Sequence, residues 1–200
     1  MAASPVAIID SGGANIASLL YALERLNTKA VLTTDASVIR AAKHVILPGV
    51  GAAKDAMQRL KDSHLVDVIR GLKQPVLGIC LGMQLLAEAS EEEDVECLGI
   101  IPGTAAKLPA ETSCPVPNMG WCAIEATKSH ALLKDLNDPA YFYFLHSYAL
   151  PVSDVTLAVA NHAAPFAAIV GHNNFVAAQF HPERSSISGS RLLRNFIGAS

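Results

Sequence analysis

The fold of this chain is decided by the stretch Gln74-Pro-Val-Leu-Gly-Ile-Cys-Leu-Gly-Met-Gln84. The residues before Cys80 form a short apolar run that follows a proline, which is typical of a buried strand. The residues after it, through Glu88, are mostly apolar and good helix formers, so they predict a helix. Gly78 and Gly82 flank the cysteine two residues away on either side. This spacing indicates a nucleophile elbow, a sharp strand-to-helix turn in which bulky neighbours would not fit.

Cys80 can be interpreted as a structural residue or as a catalytic one. A lone cysteine after an apolar strand is usually a small buried side chain. A thiol at the start of a helix, however, lies near the positive end of the helix dipole, which favours the attacking thiolate. The two glycines favour the catalytic interpretation, but a thiol nucleophile also needs a base from elsewhere in the chain.

A candidate base lies in the stretch Gln179-Phe-His-Pro-Glu183. Proline restricts the residue before it to extended backbone, so we expect His181 at the end of a strand. On an extended chain His181 and Glu183 project to the same side, where the carboxylate can orient the imidazole and stabilise its protonated form. Together with the elbow, this stretch predicts a catalytic triad of Cys80, His181 and Glu183.

The composition limits the kind of protein and of partner. The 200 residues carry a formal net charge of −3 without a basic cluster, which argues against nucleic acid. No apolar run is long enough to span a bilayer and no signal-type core follows a basic N-terminal segment, so we predict no membrane association. The four cysteines form no CxxC pair, so we predict no metal site and a reducing cytoplasm. We also predict no cofactor, and one domain over residues 1–200.

Strand-like and helix-like segments alternate through the first part of the chain. Strands are predicted at Val6–Ile9, Ala30–Thr33 and 44–47, and helices at 14–26, 37–42 and 55–71, the last of them broken near Ser63 and His64. This alternation predicts an α/β fold with a flavodoxin-like, doubly wound, mostly parallel sheet and helices on both faces. The glycines after the first strand match neither a G-x-G-x-x-G nor a Walker pattern, so we interpret them as a tight turn.

The second part of the chain predicts additional antiparallel strands. Short strand-like segments at 155–160, 167–170 and 175–180 follow one another at hairpin-like spacing, and Asn173-Asn174 supplies a turn. An amphipathic segment at 190–197 predicts a closing helix.

A second glycine-rich turn, Pro48-Gly-Val-Gly51, follows the third strand. In an elbow enzyme one oxyanion donor is the N–H of the residue after the nucleophile, which here is Leu81. The other donor must come from a neighbouring loop whose backbone approaches the substrate closely. Gly49, Val50 and Gly51 suit that role, because glycines adopt unusual dihedral angles and remove side chains from the approach.

Three other features have mainly structural interpretations. Glu91-Glu-Glu-Asp94 is a charge run that predicts a solvated loop. Trp121, the only tryptophan, is interpreted as a core residue or as an interface anchor. His146 lies in the aromatic stretch Tyr141-Phe-Tyr-Phe-Leu-His-Ser-Tyr148, so we expect it to support the site or the core rather than to act as the base.

These motifs carry a resemblance to a known family. The elbow Gly-Ile-Cys-Leu-Gly-Met-Gln84 followed by His-Pro-Glu183 resembles the triad-type, or class I, glutamine amidotransferases. Further segments are similar to one branch of them, the glutaminase subunits of imidazole glycerol phosphate synthases. These segments are Asp10-Ser-Gly-Gly-Ala-Asn-Ile-Ala-Ser18, Pro48-Gly-Val-Gly-Ala52, Tyr143-Phe-Leu-His-Ser-Tyr148 and His181-Pro-Glu-Arg-Ser185. The resemblance covers nearly the whole chain.

The resemblance implies a substrate, a pathway and a partner. L-glutamine would form a thioester with Cys80 and release ammonia, with its amino-acid end held by Gln84 and by the backbone of Ser147 and Tyr148. A separate barrel-shaped synthase subunit would form a heterodimer with this chain. It would use the ammonia to make imidazole glycerol phosphate and aminoimidazole carboxamide ribotide in histidine biosynthesis. The chain reads Asn118-Met-Gly-Trp-Cys122 where the family usually has His-Met-Gly-Trp-Asn, in a region that faces the partner.

Other functions remain open on the residues alone. A different amidotransferase subunit, such as that of anthranilate synthase, is disfavoured because its oxyanion loop usually reads Pro-Gly-Pro. A gamma-glutamyl hydrolase or a cysteine peptidase would use the same elbow. A catalytically silent binding module would retain the triad only as a scaffold.

Overall fold

The computed structural model describes residues 6–12 and 16–198, and their strands form two sheets. The strands are β1 (Val6–Ile9), β2 (Ala30–Thr33), β3 (Val45–Gly49), β4 (Val76–Cys80), β5 (Ala87–Ser90), β6 (Val95–Glu96), β7 (Ile101–Lys107), β8 (Asn118–Ala126), β9 (Ala140–His146), β10 (Tyr148–Ala149), β11 (Thr156–His162), β12 (Ala164–His172) and β13 (Phe175–Ala178). The helices are α1 (Ile16–Arg25), α2 (Ala36–Ala41), α3 (Ala53–Asp62), α4 (Val66–Arg70), α5 (Leu81–Leu86) and α6 (Ser186–Ile197), and Ala131–Leu133 and Pro182–Arg184 are short 3-10 helices.

The larger sheet confirms the predicted fold class. Its nine strands run in the order β2-β1-β3-β4-β13-β12-β11-β8-β9. The first five are parallel and follow the flavodoxin-like order, and each later neighbour pairs antiparallel. Strands β1, β3 and β4 are buried along their whole length, which explains why they read as continuous apolar runs.

Helices cover both faces of the parallel half, as predicted. One core cluster contains side chains of α2, α3, α4 and α5, and the other contains side chains of α1 and α6. Each cluster buries the apolar stripe of its helices against the sheet. The predicted helix 14–26 begins in a segment that lies outside the described residues and is helical from Ile16 to Arg25. The predicted break in helix 55–71 is confirmed, because α3 and α4 are separated at Ser63 and His64.

Helices α5 and α6 have boundaries that differ from the prediction. Helix α5 ends at Leu86, because the backbone turns extended at Ala87 and the residues that follow pair with β6 and β7. The prediction of helix through Glu88 was therefore wrong, since sheet pairing overrides the helix propensity of Ala87 and Glu88. Helix α6 begins at Ser186, four residues before the predicted start.

The smaller sheet has the order β10-β7-β5-β6 and meets the larger one at Ser147. Strand β9 of the larger sheet ends at His146, and β10 of the smaller sheet begins at Tyr148. The carbonyl of Ser147 accepts a hydrogen bond from the Leu108 N–H at 2.9 Å. The chain thus changes sheets at this residue, and the junction forms one side of the site described below.

The elbow is built with a strained residue between two crowded glycines. Cys80 has φ 53° and ψ −111°, a left-handed φ that L-residues rarely adopt. A Cβ on Gly82 would lie 1.8 Å from the carbonyl oxygen of Leu47, and one on Gly78 would lie 2.8 Å from Cδ1 of Leu86. The close packing of α5 against β3 therefore requires glycine at position 82.

We predict that Gly82→Ala lowers the free energy of unfolding by about 3 kcal/mol, because its methyl group overlaps the Leu47 carbonyl and the backbone must shift. Urea denaturation measures the change. Gly71→Ala is the matched control, since its Cβ would lie 3.2 Å from the nearest atom, the carbonyl oxygen of Asp67. Equal stability of the two variants would contradict the packing argument.

Candidate active site

The carboxyl ends of three neighbouring parallel strands bring the candidate residues together. Gly49 at the end of β3 is in register with Cys80 at the end of β4, and Ile79 is in register with Ala178 at the end of β13. The chain continues from β13 to His181 three residues later. Ligands of doubly wound folds bind at this edge of the sheet.

His181 and Glu183 form a buried pair, although not on an extended chain as predicted. His181 has extended backbone, but Pro182–Arg184 is a 3-10 helix with proline in its first turn. The turn brings the Glu183 carboxylate back toward the imidazole, and Nδ1 of His181 lies 2.9 Å from Oε1 of Glu183. The two side chains are 8% and 7% exposed. Because Nδ1 is paired with the carboxylate, the other ring nitrogen, Nε2, is available to contact Cys80.

Strand β9 and Ser185 hold the backbone of His181 in place. The His181 N–H donates to the carbonyl of Tyr143 at 2.9 Å, and the Ser185 hydroxyl donates to the carbonyl of His181 at 2.6 Å. The same hydroxyl accepts from the Tyr143 N–H at 2.9 Å. No role was predicted for Ser185, because its partner Tyr143 lies 42 residues away in the chain and no local pattern marks the contact.

The charge balance of the triad favours a protonated His181. Burial by itself lowers the pKa of this imidazole, but hydrogen bonds to Cys80 and Glu183 and their negative charges raise the pKa to about 10. His181 is therefore an imidazolium beside the sulfur at neutral pH, and this form can donate a proton.

A backbone carbonyl of β9 and a side chain just after β13 contact the Cys80 sulfur. Its Sγ lies 3.7 Å from the carbonyl oxygen of Leu145 on β9 and 3.9 Å from Nε2 of Gln179. Gln179 is fully buried, and within the described part of the chain its Oε1 has no hydrogen-bond partner. Gln179 belongs to the stretch that predicted the base, but the prediction assigned it no role.

The predicted oxyanion residues lie beside the nucleophile, with a different place for one of them. Leu81, Val50 and Gly51 line the same cavity as Cys80. Gly49 does not line this cavity. It packs against Leu81, where an added Cβ would lie 3.0 Å from Cβ of Leu81. Gly51 has φ +92°, which favours glycine. The Ser11 hydroxyl donates to the carbonyl of Pro48 at 2.8 Å and so ties the loop to the end of β1.

The cavity in front of Cys80 has a volume of about 250 Å³, suited to a small metabolite. It is lined by Val50, Gly51, Cys80, Leu81, Gln84, Glu92, Pro117, Leu145, His146, Ser147, Tyr148 and His181. The predicted substrate-binding residues Gln84, Ser147 and Tyr148 thus share one cavity with Cys80 and His181, whereas Glu183 of the candidate triad does not line it. The Gln84 Nε2 donates to the carbonyl of Tyr148 at 3.0 Å.

Glu92 corrects the prediction of a purely solvated charge run. Its Oε2 accepts a hydrogen bond from the N–H of Ala53 at 3.2 Å, at the start of α3, and the residue lines the cavity. A negative charge at a helix N-terminus is favourable. The run of like charges gave no signal for this contact, because the partner lies 39 residues away in the chain.

His146 has the supporting position that the sequence predicted. It is 6% exposed, and its Nδ1 lies 2.9 Å from the carbonyl oxygen of Tyr148. Burial lowers the pKa of His146 to about 4, so it is a neutral imidazole at pH 7. Of the two histidines at the cavity, His181 is the one paired with a carboxylate.

An exposed apolar surface lies next to the cavity, and Trp121 belongs to it rather than to the core. Met119 and Trp121 on β8 are 68% and 53% exposed, and Tyr141 and Leu145 on β9 are 50% and 37% exposed. We call these four side chains the apolar face. Its member Leu145 also contributes the carbonyl near Cys80, so the apolar face adjoins the nucleophile.

Other parts of the described chain hold fewer groups that could bind a ligand or catalyse a reaction. A groove of about 860 Å³ between β8 and residues 133–140 is lined by aliphatic, amide and two acidic side chains. Among residues 6–12 and 16–198, no group of three or more His, Cys, Asp or Glu side chains is placed to hold a metal ion. No helix in this part of the chain is long and apolar enough to cross a membrane.

Comparison with known proteins agrees with this geometry. Residues 7–199 match the family model of glutamine amidotransferase class-I. The chain belongs to this family. The chain is 50% identical over 192 residues to imidazole glycerol phosphate synthase subunit HisH 2 of Legionella pneumophila (strain Lens), and the aligned region covers 96% of each chain. It is 49% identical over 195 residues to subunit HisH of Xanthomonas euvesicatoria pv. vesicatoria, which covers 98% of each chain.

Solved structures show the same fold at lower identity. The amidotransferase aligns with a putative GMP synthase protein of Thermoplasma acidophilum with a TM-score of 0.76 and 21% identity, over 99% of this chain and 94% of the other. A glutamine amidotransferase of Thermotoga maritima aligns with a TM-score of 0.66 and 17% identity, over 98% and 82% of the two chains. At this identity the likeness supports the fold class alone.

We predict that Glu183→Gln and Cys80→Ala each lower the pKa of His181 in the amidotransferase. Either change removes a partner that favours the imidazolium, while the burial that opposes the charge remains. NMR titration of the His181 ring measures the effect, and the wild-type imidazolium should persist to higher pH than either variant. Glu24→Gln, on the exposed side of α1, is the control. Identical titrations in all four proteins would show that neither partner stabilises the imidazolium.

Proposed function

We propose that this chain is the glutaminase subunit of an imidazole glycerol phosphate synthase. It hydrolyses L-glutamine to glutamate and ammonia and supplies the ammonia to a separate synthase subunit. The observation that carries the proposal is the near full-length identity of about half the residues with relatives of that name. The Cys80–His181–Glu183 arrangement supports it, because Cys80 and His181 line a cavity of suitable size and Glu183 pairs with His181. We place the chain in the cytoplasm and treat residues 1–200 as one amidotransferase domain.

The reaction begins with attack of the Cys80 thiolate on the side-chain carboxamide of glutamine. The carbonyl oxygen becomes an oxyanion, and the His181 imidazolium gives its proton to the departing nitrogen, which leaves as ammonia. The glutamyl thioester remains on Cys80. His181, now neutral, takes a proton from water, and the resulting hydroxide attacks the thioester. Glutamate leaves, and the thiolate–imidazolium pair is restored.

Backbone N–H groups stabilise the oxyanion in this proposal. The first is that of Leu81, at the start of α5. The second comes from the loop of Gly49, Val50 and Gly51, of which Val50 and Gly51 line the cavity. One donor of this kind is worth about 3 kcal/mol in other enzymes, so loss of either one slows the reaction by roughly a hundredfold.

The cavity offers groups for the amino-acid end of glutamine. Gln84 and the backbone of Ser147 and Tyr148 lie on its wall, at the junction of the two sheets. Glu92 adds a carboxylate to the same cavity, which complements an ammonium group. No group of this kind is needed for a peptide substrate with blocked termini, so these contacts favour a free amino acid over the peptidase alternative.

We predict that Cys80→Ser reduces glutamate release by about a thousandfold or more, since loss of a triad nucleophile has effects of this size. The fold should be retained, and thermal denaturation checks that. Cys114→Ser, in the loop at 111–117, is the matched control and should keep wild-type turnover. Near-wild-type activity of Cys80→Ser would remove this residue from the mechanism. Faster hydrolysis of gamma-glutamyl peptides than of glutamine would favour the hydrolase alternative instead.

We propose that the apolar face is the docking surface for the synthase subunit, which is barrel-shaped and forms a heterodimer with this chain. Exposed aromatic and methionine side chains are enriched at protein interfaces. Arg184 lies over the Tyr143 ring at 5.3 Å and adds a positive charge next to the apolar face. Because the apolar face adjoins Cys80, a partner bound there would receive ammonia close to its point of release.

Docking at this position also offers a means of control. The loop at Gly49–Gly51 contains glycines whose peptide groups rotate at low steric cost. We propose that the isolated chain holds the loop donor away from the oxyanion, and that the synthase subunit with its ligand selects the conformation with the donor directed inward. Two sites would then bias one two-state element.

We expect glutamate production to rise from the chain alone, to the chain with its partner, to the complex with the synthase ligand bound. Trp121→Ala should weaken partner binding by tenfold or more, on the order of an interface anchor, and reduce the activation accordingly. Ile187→Ala, another exposed apolar residue, on α6, is the control. Equal rates in the three conditions would exclude the control mechanism, and equal partner affinity of Trp121→Ala would exclude the docking surface.

A further inference from the structure

A chain of buried hydrogen bonds runs from strand β8 to the substrate cavity. Nδ2 of Asn118 lies 3.1 Å from Nε2 of His146, and Nδ1 of His146 lies 2.9 Å from the carbonyl oxygen of Tyr148. The same carbonyl accepts from Nε2 of Gln84 at 3.0 Å. Asn118, His146 and Gln84 are 2%, 6% and 4% exposed, so water competes little for these contacts.

The donors and acceptors of this chain assign one tautomer to His146. The Tyr148 carbonyl can only accept, so Nδ1 of His146 must carry a proton. The Asn118 amide has its Oδ1 directed to the Cys122 thiol at 3.7 Å, which leaves Nδ2 to donate to Nε2 of His146. Nε2 is therefore an acceptor without a proton.

The surroundings of His146 keep it neutral. Burial lowers its pKa to about 4, with the Tyr148 carbonyl opposing this and the charges of His162 and His181 adding to it. The rings of Phe144 and Phe166 pack against the imidazole, with centroids 5.6 and 5.0 Å away. A second proton would also place an N–H of His146 against the Asn118 amide N–H. The Nδ1–H tautomer thus persists across the physiological range.

We propose that His146 and Asn118 are positioning residues for glutamine, which act by fixing the Tyr148 carbonyl and through it the Gln84 side chain. The carbonyl has two lone pairs, and His146 and Gln84 occupy both. With Nε2 of Gln84 committed to Tyr148, its Oε1 remains as the acceptor for the amino-acid end of the substrate. This inference rests on the proposed function, because it concerns the affinity for glutamine.

The proposal separates binding from chemistry. His146 lies one link behind the residues that hold the substrate, whereas His181 pairs with Cys80 itself. Loss of the His146 contact frees the Tyr148 carbonyl and Gln84 to take other orientations, but leaves the thiolate, the imidazolium and Glu183 in place. The KM for glutamine should therefore change far more than kcat.

The kinetic experiment uses the protein in complex with the synthase subunit and its ligand. His146→Phe keeps an aromatic ring among Phe144 and Phe166 but removes both hydrogen bonds of the imidazole. It should raise the KM about tenfold with kcat within threefold, as loss of the one bond that fixes the Tyr148 carbonyl predicts. Asn118→Leu should raise the KM in the same direction, and Asn118→His, which restores an N–H donor, should recover most of the loss. His172→Phe, next to the β12–β13 turn, is the matched control.

The second measurement does not depend on turnover. Long-range ¹H–¹⁵N NMR of the free wild-type chain reports the His146 tautomer, which should be Nδ1–H from pH 5 to 8. An Nε2–H tautomer, or a titration of His146 near pH 6.5, would overturn the network whatever the activity. A fall in kcat at unchanged KM in His146→Phe would overturn the positioning role. An Nδ1–H tautomer in a wild-type complex that does not hydrolyse glutamine would instead reject the proposed function and leave the network standing.

Discussion

The close approach of α5 to the carbonyl of Leu47 is the constraint on which the rest of the site depends. Only glycine at position 82 permits this approach, and the resulting turn forces Cys80 into a left-handed backbone conformation. The strain is sustained because the parallel strands on either side of β4 are fully paired. The same strands place the glycine loop and His181 at the edge of the sheet where Cys80 lies. The packing that strains the elbow therefore also assembles the candidate site.

Within that frame, two opposing effects determine the state of the triad. Burial of His181 lowers its pKa, whereas the contacts with Cys80 and Glu183 raise it, and the contacts have the larger effect. His146, only a short distance along the same cavity wall, has no carboxylate partner, and there burial wins. Two histidines of one site are thus held in opposite protonation states by their neighbours alone, one suited to proton transfer and the other to fixed hydrogen bonding.

Local sequence patterns predicted the fold class, the elbow and the candidate triad, because each is marked by short motifs, even where the motifs themselves lie far apart in the chain. The alternation of strands and helices identified the doubly wound sheet, and Gly78 and Gly82 marked the turn. Ser185 and Glu92 were missed because their partners, at 143 and 53, are distant in sequence. The early end of α5 at Leu86 was missed because sheet pairing overrides the local helix propensity. The 3-10 turn after His181 was missed although its hydrogen bonds are local and proline stands in its first turn.

The elbow also determines how this scaffold can be altered. With no space for a side chain at position 82 and a left-handed backbone at Cys80, the nucleophile cannot be moved along the chain or given bulkier neighbours. Part of the cavity wall, however, comes from separate segments at Glu92, Pro117 and Ser147, which take no part in the turn. Laboratory evolution toward other amide substrates is therefore expected to succeed through changes in these loops, whereas the backbone at Cys80 should stay unchanged.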